Sequence, residues 1–161
     1  MTTPTGSVKP PRSRELLGWR EWVRLPTIGI PAIRVKVDTG ARTSALNARH
    51  IEPFDFDGVP WVRFTLHQPR ARDLVCAAPV TEKRVVKDSG GHAEERFVIE
   101  TTVAIGARPG TWPIEITLAD RGDMSFAMLL GRTAIRNRFT VDPALSYVAG
   151  IPQVAHKTET I

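Results

Sequence analysis

Apolar and polar residues alternate along much of the chain, which is the pattern of β-strands with one buried face. The segment IPAIRVKVD, residues 30–38, places Ile33, Val35 and Val37 on one face and Arg34 and Lys36 on the other. The segment PWVRFTLHQ, residues 60–68, alternates in the same way. We therefore predict a protein built from strands that each turn one side toward a core.

Two further stretches predict pairs of strands. Residues 82–106 form two alternating runs around the glycine-rich tip Ser89-Gly90-Gly91, which indicates a hairpin. Residues 112–131 predict a second pair that turns at Asp-Arg-Gly-Asp, residues 120–123, and the apolar run before Gly131 is typical of a strand buried on both faces. Only residues 132–139 have a helical pattern. The expected fold is an all-β closed sheet with one short C-terminal helix.

Length and composition set the domain organisation. A chain of 161 residues is the size of one domain. Residues 1–14 are rich in Thr, Pro, Ser and basic residues, and we interpret them as a flexible basic tail. We predict a folded domain over residues 15–150 and a second tail over residues 151–161.

Charge and cysteine content narrow the class of protein. The chain has 22 Lys and Arg against 17 Asp and Glu, a formal net charge of +5. Such a balance either favours acidic partners or serves only solubility. Cys76 is the single cysteine, so no intrachain disulfide is possible. Without a signal peptide or an 18-residue apolar run, we expect a soluble cytoplasmic protein without a membrane contact.

Asp38 ends an apolar strand and precedes the turn-forming pair Thr39-Gly40. One interpretation is structural: the carboxylate caps the backbone N–H groups of Gly40 or Ala41 in an Asx turn. The other is chemical, because Asp-Thr-Gly at a strand end is a candidate catalytic motif. The tripeptide alone does not decide between them.

The order of motifs along the chain supports the chemical interpretation. VDTGARTSALNA, VKDSGGHAEERFVIET, MLLGR and VDPALSY follow one another between Gly18 and Tyr147. This set resembles the retroviral-type aspartic proteases. It resembles more closely the bacterial RimK-associated, or RimB-like, family of retropepsin-like proteases, also called ATP-dependent zinc proteases. The resemblance implies a retropepsin-like closed β-barrel.

The resemblance also implies an active site with Asp38 as the catalytic residue. Aspartic proteases need two carboxylates that share a proton around one water, and this chain supplies one Asp-Thr-Gly. A homodimer is therefore expected, with the two Asp38 residues meeting on the axis. Thr39, Gly40 and Ala41 would form the catalytic loop and the dimer grip. The tip Ser89, Gly90 and Gly91 would close over substrate, while Leu129, Leu130 and Gly131 would support the loop.

Arg42 departs from the viral pattern. In viral retropepsins the residue at this position is acidic and pairs with the arginine of the late Gly-Arg, which here is Arg132. Two arginines cannot pair, so we expect Arg132 to contact another carboxylate, with Asp142 or Glu115 as candidates. Positive charge beside Asp38 predicts a preference for acidic, glutamate-rich peptide. The family's link to a glutamate ligase that extends a ribosomal protein tail points the same way.

No cofactor or metal site is predicted. The candidate ligands lack zinc-binding spacing; they are His50, His67, Cys76, His92 and His156. No phosphate-binding glycine motif supports ATP hydrolysis. Four tryptophans lie near arginines and could stack on bases, but burial in the core or at interfaces is the simpler role, so we expect no specific nucleic acid; they are Trp19, Trp22, Trp61 and Trp112.

The sequence thus predicts a homodimeric, metal-independent aspartic endopeptidase acting on a peptide or protein. Two alternatives remain open at this point. One is a non-catalytic module on the same fold that binds a glutamate ligase or a ribosomal protein. The other is a basic RNA- or ribosome-binding protein.

Overall fold

The computed structural model describes residues 14–152, and ten strands account for most of them. The predicted tails lie almost entirely outside this range. A single-turn 3-10 helix, Pro26–Ile28, and one short α-helix accompany the strands. The elements in chain order are β1 (Glu15–Leu17), β2 (Arg20–Leu25), β3 (Ile30–Asp38), β4 (Ser44–Phe56), β5 (Val59–Leu66), β6 (Leu74–Lys87), β7 (Ala93–Ile105), β8 (Trp112–Ala119), β9 (Met128–Gly131), α1 (Arg132–Ile135) and β10 (Phe139–Val141).

Eight of the strands form one sheet in the order β2-β3-β9-β4-β5-β6-β7-β8. Additional pairings join β7 to β2 and β8 to β4, so the sheet closes on itself. Strands β1 and β10 form a separate parallel pair. The fold is therefore the predicted all-β closed sheet with one short helix near its C-terminal end.

The inward faces of the strands fill the core, as the alternation predicts. In β3, Ile33, Val35 and Val37 are buried, and in β5 the buried side chains are Val62 and Phe64, followed by Leu66. Each of these strands is two-sided, with polar residues on the opposite face. Burial of these side chains, together with those of the other strands, stabilises the domain through the hydrophobic effect.

The hairpin predicted over residues 82–106 is confirmed. Strands β6 and β7 pair antiparallel, and Lys87 lies opposite Ala93 at the end of the ladder. The ladder shifts register between Val80 and Glu82, which marks a β-bulge lower in the hairpin. The hairpin therefore projects from the closed sheet as a two-stranded arm.

Residues 112–131 form the two predicted strands, but the prediction that these strands pair with each other is wrong. Strands β8 and β9 both form, but β4 lies between them, parallel to β8 and antiparallel to β9. The sequence pattern identified each strand but could not show that β4 separates them, since the residues of β4 precede both by about 70 positions. Strand β4 itself was not predicted; its first five residues, 44–48, are all buried and include the polar Ser44 and Asn47, so burial there does not follow simple alternation.

The predicted helix over residues 132–139 is shorter than its pattern. It spans Arg132–Ile135 and ends at Arg136, whose ψ of 144° is no longer helical; Asn137 then adopts a left-handed conformation with φ 66°. No helix within residues 14–152 has the length and apolar character needed to cross a membrane.

Candidate active site

Asp38 is the last residue of β3 and lies opposite Gly131 of β9 in a parallel ladder. The chain then turns through residues 39–43 and enters β4, which flanks β9 on its other side. The Asp-Thr-Gly turn and the Gly131-Arg132 step are thereby brought side by side, although 93 positions separate Asp38 from Gly131. Three strands of the closed sheet meet at this point.

The Asp38 carboxylate is half-buried, and its two oxygens have different surroundings. Oδ1 accepts hydrogen bonds from the backbone N–H of Gly40 at 3.0 Å and of Ala41 at 3.2 Å. Oδ2 forms no hydrogen bond with any residue between 14 and 152. The Asx turn of the structural interpretation is therefore present, and it still leaves one oxygen for chemistry.

The start of α1 fixes the backbone of the catalytic loop. Arg132 N–H donates to the carbonyl of Ala41 at 2.7 Å, and Arg132 Nη1 donates to the carbonyl of Thr39 at 2.9 Å. Thr133 donates to the carbonyl of Arg42 through both its N–H, at 3.0 Å, and its Oγ1, at 2.8 Å. Four hydrogen bonds from two residues thus hold the loop that carries Asp38.

Gly131 is required beneath the loop because nothing larger fits. A Cβ on this residue would lie 2.5 Å from the carbonyl carbon of Thr43 and 2.7 Å from the backbone nitrogen of Ser44. The Gly131 N–H donates to Ser44 Oγ at 2.9 Å in a buried contact. Leu130 lies in the core beside it, whereas Leu129 is half-buried and lines the cleft in front of Asp38.

A cleft of about 420 Å³ opens in front of Asp38, and we call it the catalytic cleft. The stem of the β6–β7 hairpin forms one wall, and the catalytic loop with β4 and β9 forms the other. Five cationic side chains line it against the single carboxylate of Asp38; they are Arg42, Arg84, Lys87, Arg96 and Arg121. Of these five, only Arg42 was identified from the sequence. The other four lie on polar faces and turns of predicted strands, and that position was the only indication of them in the sequence.

The hairpin tip lies apart from the catalytic cleft. Asp88 Oδ1 accepts from the N–H of Gly90 and of His92, each at 2.9 Å, and Gly91 has φ 82°. The predicted tip residues, Ser89 to Gly91, are exposed and do not line the cleft. The structure therefore brings the stem of the hairpin, but not its tip, together with Asp38.

Arg132 contacts a carbonyl rather than either carboxylate predicted for it. Glu115 instead pairs with Arg84 at 3.0 Å, and Asp142 accepts the N–H of Ala144. The hydrogen bonds that Arg84 donates to Glu115 and to Glu82 raise the pKa of its guanidinium. A carbonyl satisfies Arg132 because the Thr39 peptide lies directly beside it, which sequence alone does not show.

The described residues do not offer a zinc site. No three His, Cys, Asp or Glu side chains between residues 14 and 152 lie close enough together to hold a metal ion. His67 contacts Asp73 at 3.0 Å, His92 lies on the hairpin tip, and Cys76 is a buried free thiol. His156 lies outside the described residues.

Comparison with known proteins places this geometry in a family. The model of the RimB-like family, the retropepsin-like aspartic endopeptidase RimB, matches residues 16–152. The chain belongs to this family. The RimB-like assignment agrees with the all-β closed sheet and with the Asp-Thr-Gly turn at the end of β3.

Curated relatives of this RimB-like chain are longer proteins. A protein of Desulfotalea psychrophila named probable alpha-L-glutamate ligase is 43% identical over 141 residues, which are 86% of this chain and 30% of the relative. A protein of Shewanella pealeana with the same name is 41% identical over 138 residues, again covering 30% of its length. The chain thus spans about a third of the curated relatives that it matches.

A solved structure shows the same fold. A Legionella pneumophila protein of unknown function superposes with a TM-score of 0.70 and 28% identity, over 85% of this chain and 99% of that one. The RimB-like fold is thus found in a chain of similar extent.

Proposed function

We propose that this protein is an aspartic endopeptidase that acts as a homodimer, with one Asp38 from each protomer. The observation that carries the proposal is the free Oδ2 of Asp38 at the floor of an open cleft, on a loop held by four hydrogen bonds from α1. Aspartic proteolysis needs two such carboxylates, and each chain supplies one. A second copy is the simplest source of the other.

The chemistry follows from two carboxylates that share one proton. Like charges about 3 Å apart cannot both ionise, so one Asp38 is ionised and the other protonated. The ionised one accepts a proton from the water as it attacks the scissile carbonyl, and the protonated one donates to the carbonyl oxygen. The Gly40 and Ala41 N–H groups hold Oδ1 in place throughout. Thr39 would form the grip between the two loops, and the Ser89–Gly91 tip would close over bound peptide.

The lining of the catalytic cleft favours an acidic substrate. Arg42, Lys87 and Arg121 form no ion pair with any residue between 14 and 152, so their charges remain available to carboxylates. Longer relatives are named probable alpha-L-glutamate ligase, a name that points to glutamate as the group concerned. A glutamate-rich peptide, such as an extended tail on a ribosomal protein, is therefore the proposed substrate, in the cytoplasm and with a ligase as partner.

A second candidate function is a non-catalytic binding module for a glutamate ligase or ribosomal protein. It is favoured by the Asx turn, because two N–H donors to Oδ1 give Asp38 a complete structural role without catalysis. The two functions differ in whether the second oxygen of Asp38 is used.

The test is cleavage of an oligoglutamate peptide by wild type and by Asp38→Asn, followed by mass spectrometry across pH. We expect wild type to cleave and Asp38→Asn to lose activity at least a hundredfold. Sedimentation of wild type with peptide should show a dimer. Equal cleavage by both proteins would contradict the aspartic mechanism, and binding without cleavage by wild type would favour the binding module.

The acidic preference has its own test. Arg42→Glu should reduce cleavage of oligoglutamate relative to a neutral peptide, since it replaces a positive charge in the cleft by a negative one that repels the carboxylates of the peptide. Lys83→Glu, which reverses a charge on the β6–β7 arm outside the catalytic cleft, is the control. Equal cleavage of oligoglutamate by Arg42→Glu and wild type would contradict the proposed substrate class.

A further inference from the structure

The catalytic cleft does not end at the loop of Asp38. Arg42, Thr43 and Arg84 also line an adjoining cavity of about 500 Å³, which we call the bridging cavity. The bridging cavity shares Pro113 and Thr133 with a third cavity of about 620 Å³. Because neighbouring cavities share lining residues, the three lie side by side, and we call this row of cavities the depression.

The third cavity is cationic, and we call it the arginine pocket. Its lining contains four arginines and two aromatic rings; these are Arg14, Arg108, Arg136, Arg138, Trp112 and Phe139. Glu15 is its one carboxylate, and it is paired with Arg108 at 2.9 Å. With the five cations of the catalytic cleft, nine cationic side chains follow the depression against three carboxylates.

The floor of the arginine pocket is a fixed structure. Trp112 Nε1 donates to the carbonyl of Ala134 at 2.8 Å, and the Trp112 ring lies 5.8 Å from that of Phe139. The Arg138 guanidinium sits 4.5 Å from the centre of the Trp112 ring. A guanidinium held over a ring loses less freedom when it binds an anion, which favours binding.

Two arginines of the pocket have charges that no acid neutralises. Arg136 and Arg138 are exposed, and neither forms an ion pair with a residue between 14 and 152. They stand on either side of Asn137, whose left-handed conformation with φ 66° turns the chain between α1 and β10. Two like charges kept this close together are a ready site for a partner with several negative charges.

We propose that the arginine pocket is a second anion-binding site, which holds carboxylates of an acidic peptide whose scissile region lies at Asp38. The inference rests on the proposed function and adds to it a site remote from the reacting bond. An extended peptide advances about 3.3 Å per residue, so a long acidic chain reaches beyond the catalytic cleft along the depression. Linked contacts raise affinity more than either site alone, so the pocket selects for length.

Peptide fits the pocket better than nucleic acid. Binding of a single strand depends on aromatic rings that stack on bases. In the arginine pocket the Trp112 ring is already covered by Arg138 and packs beside Phe139. The pocket therefore offers charge without a free stacking surface, and a chain of carboxylates needs only charge.

The chain provides a matched control for the test. Arg70 and Arg72 have the same Arg-x-Arg spacing as Arg136 and Arg138, are also exposed, and lie on the β5–β6 loop outside all three cavities of the depression. A double change to Ala at either pair removes two positive charges. Only the change at 136 and 138 alters the arginine pocket.

The experiment measures binding of fluorescent oligoglutamates of 4 and 12 residues in the Asp38→Asn background, by anisotropy at several salt concentrations. Arg136→Ala with Arg138→Ala should weaken binding of the 12-residue peptide about tenfold and that of the 4-residue peptide less than twofold. It should also reduce the salt dependence for the long peptide. Arg70→Ala with Arg72→Ala should change both affinities less than twofold.

Equal losses for the two lengths, or equal losses in the two double variants, would overturn the proposal. So would a selective loss of affinity for a single-stranded RNA of the same charge with peptide binding unchanged, which would make the pocket a nucleic-acid site. Because binding is measured without turnover, failure of wild type to cleave is a separate result that counts only against the proposed function.

Discussion

Glu21 and Asp38 lie on neighbouring strands, β2 and β3, and their environments are opposite. Glu21 is fully buried, and both of its oxygens accept hydrogen bonds. Oε2 accepts from the N–H of Gly18 at 2.7 Å and of Val148 at 3.1 Å, and Oε1 accepts from Ala149 at 3.0 Å. These contacts join the start of β2 to the segment after β10, and we call them the Glu21 clamp.

Asp38, by contrast, uses one oxygen in its own turn and leaves the other at the catalytic cleft. An acid that is fully hydrogen-bonded and buried holds structure, and its loss leaves polar groups without partners. An acid with a free oxygen in an open cleft can bind or react. Removal of the Glu21 carboxylate should therefore destabilise the fold strongly, whereas removal of the Asp38 charge should leave the stability of the fold nearly unchanged.

Glu21→Ala should have the largest effect on stability. It leaves three backbone N–H groups without acceptors, two of them in buried contacts, and should lower the free energy of unfolding by about 3–5 kcal/mol. Urea denaturation measures this. Glu100→Ala, an exposed glutamate on β7, is the control and should change the free energy by less than about 0.5 kcal/mol. If Glu21→Ala lowered the free energy of unfolding no more than Glu100→Ala does, Glu21 would not be the structural acid that the contrast with Asp38 requires.

Cys76 is also a buried titratable residue, but unlike Glu21 it accepts no hydrogen bonds from backbone N–H groups of residues 14–152. It therefore shows the effect of burial on a group whose charged form has no donors. Burial raises the pKa of its thiol to about 11. The unfolded thiol ionises near pH 9 and the folded one only near 11, so the unfolded state loses its proton first. The free energy of unfolding should fall by roughly 2–3 kcal/mol as the pH rises from 9 to 11, and this contribution should be fully present below pH 9.

The measurement is the free energy of unfolding of wild type against pH, with Cys76→Ala as the control. The mutant should lack this part of the alkaline loss, because it has no thiol to ionise. Parallel curves for the two proteins would show that Cys76 does not carry the effect.

Ser44→Ala tests a hydrogen bond that supports the loop of Asp38 from beneath. It removes the acceptor of the buried Gly131 N–H, and an unsatisfied buried donor costs about 1–3 kcal/mol. Thermal unfolding should show a lower midpoint, and cleavage of oligoglutamate should fall with it because β9 supports the loop. Ser125→Ala, on an exposed turn, should change neither.

Asp38→Asn should have the smallest effect on stability, less than about 1 kcal/mol. Its Oδ1 can still accept from Gly40 and Ala41, since an amide oxygen replaces a carboxylate oxygen. The same urea measurement used for Glu21→Ala provides the value. A loss as large as that of Glu21→Ala would mean that Asp38 is a structural acid, and the catalytic proposal would lose its basis.

The sequence was sufficient for features that depend on one strand at a time. The buried face of β3 follows from Ile33, Val35 and Val37, because period-two alternation is local. The β6–β7 hairpin follows from its glycine tip. The family follows from the order of the Asp-Thr-Gly and Gly-Arg motifs, which the match over residues 16–152 confirms.

Features that depend on distant pairings were not accessible from the sequence. The position of β9 between β3 and β4 results from closure of the whole sheet, so the expected β8–β9 hairpin was wrong. Arg84 and Arg96 lie on the polar faces of β6 and β7, and in the sequence such faces are indistinguishable from faces exposed to solvent. Only the structure shows that the hairpin stem brings these two residues to the cleft of Asp38. Arg132 donates to the backbone carbonyl of Thr39, and a backbone acceptor cannot be recognised from the residue types in the sequence.

The parallel pairing of Asp38 with Gly131 affects the order in which the protein can fold during translation. The loop of Asp38 is synthesised early, but each of its four α1 hydrogen bonds comes from Arg132 or Thr133. Contacts this distant in sequence form slowly, since a long loop must close first. In a nascent chain the loop of Asp38 therefore lacks these four hydrogen bonds until Arg132 and Thr133 have been synthesised, so the loop can reach its final conformation only late in translation.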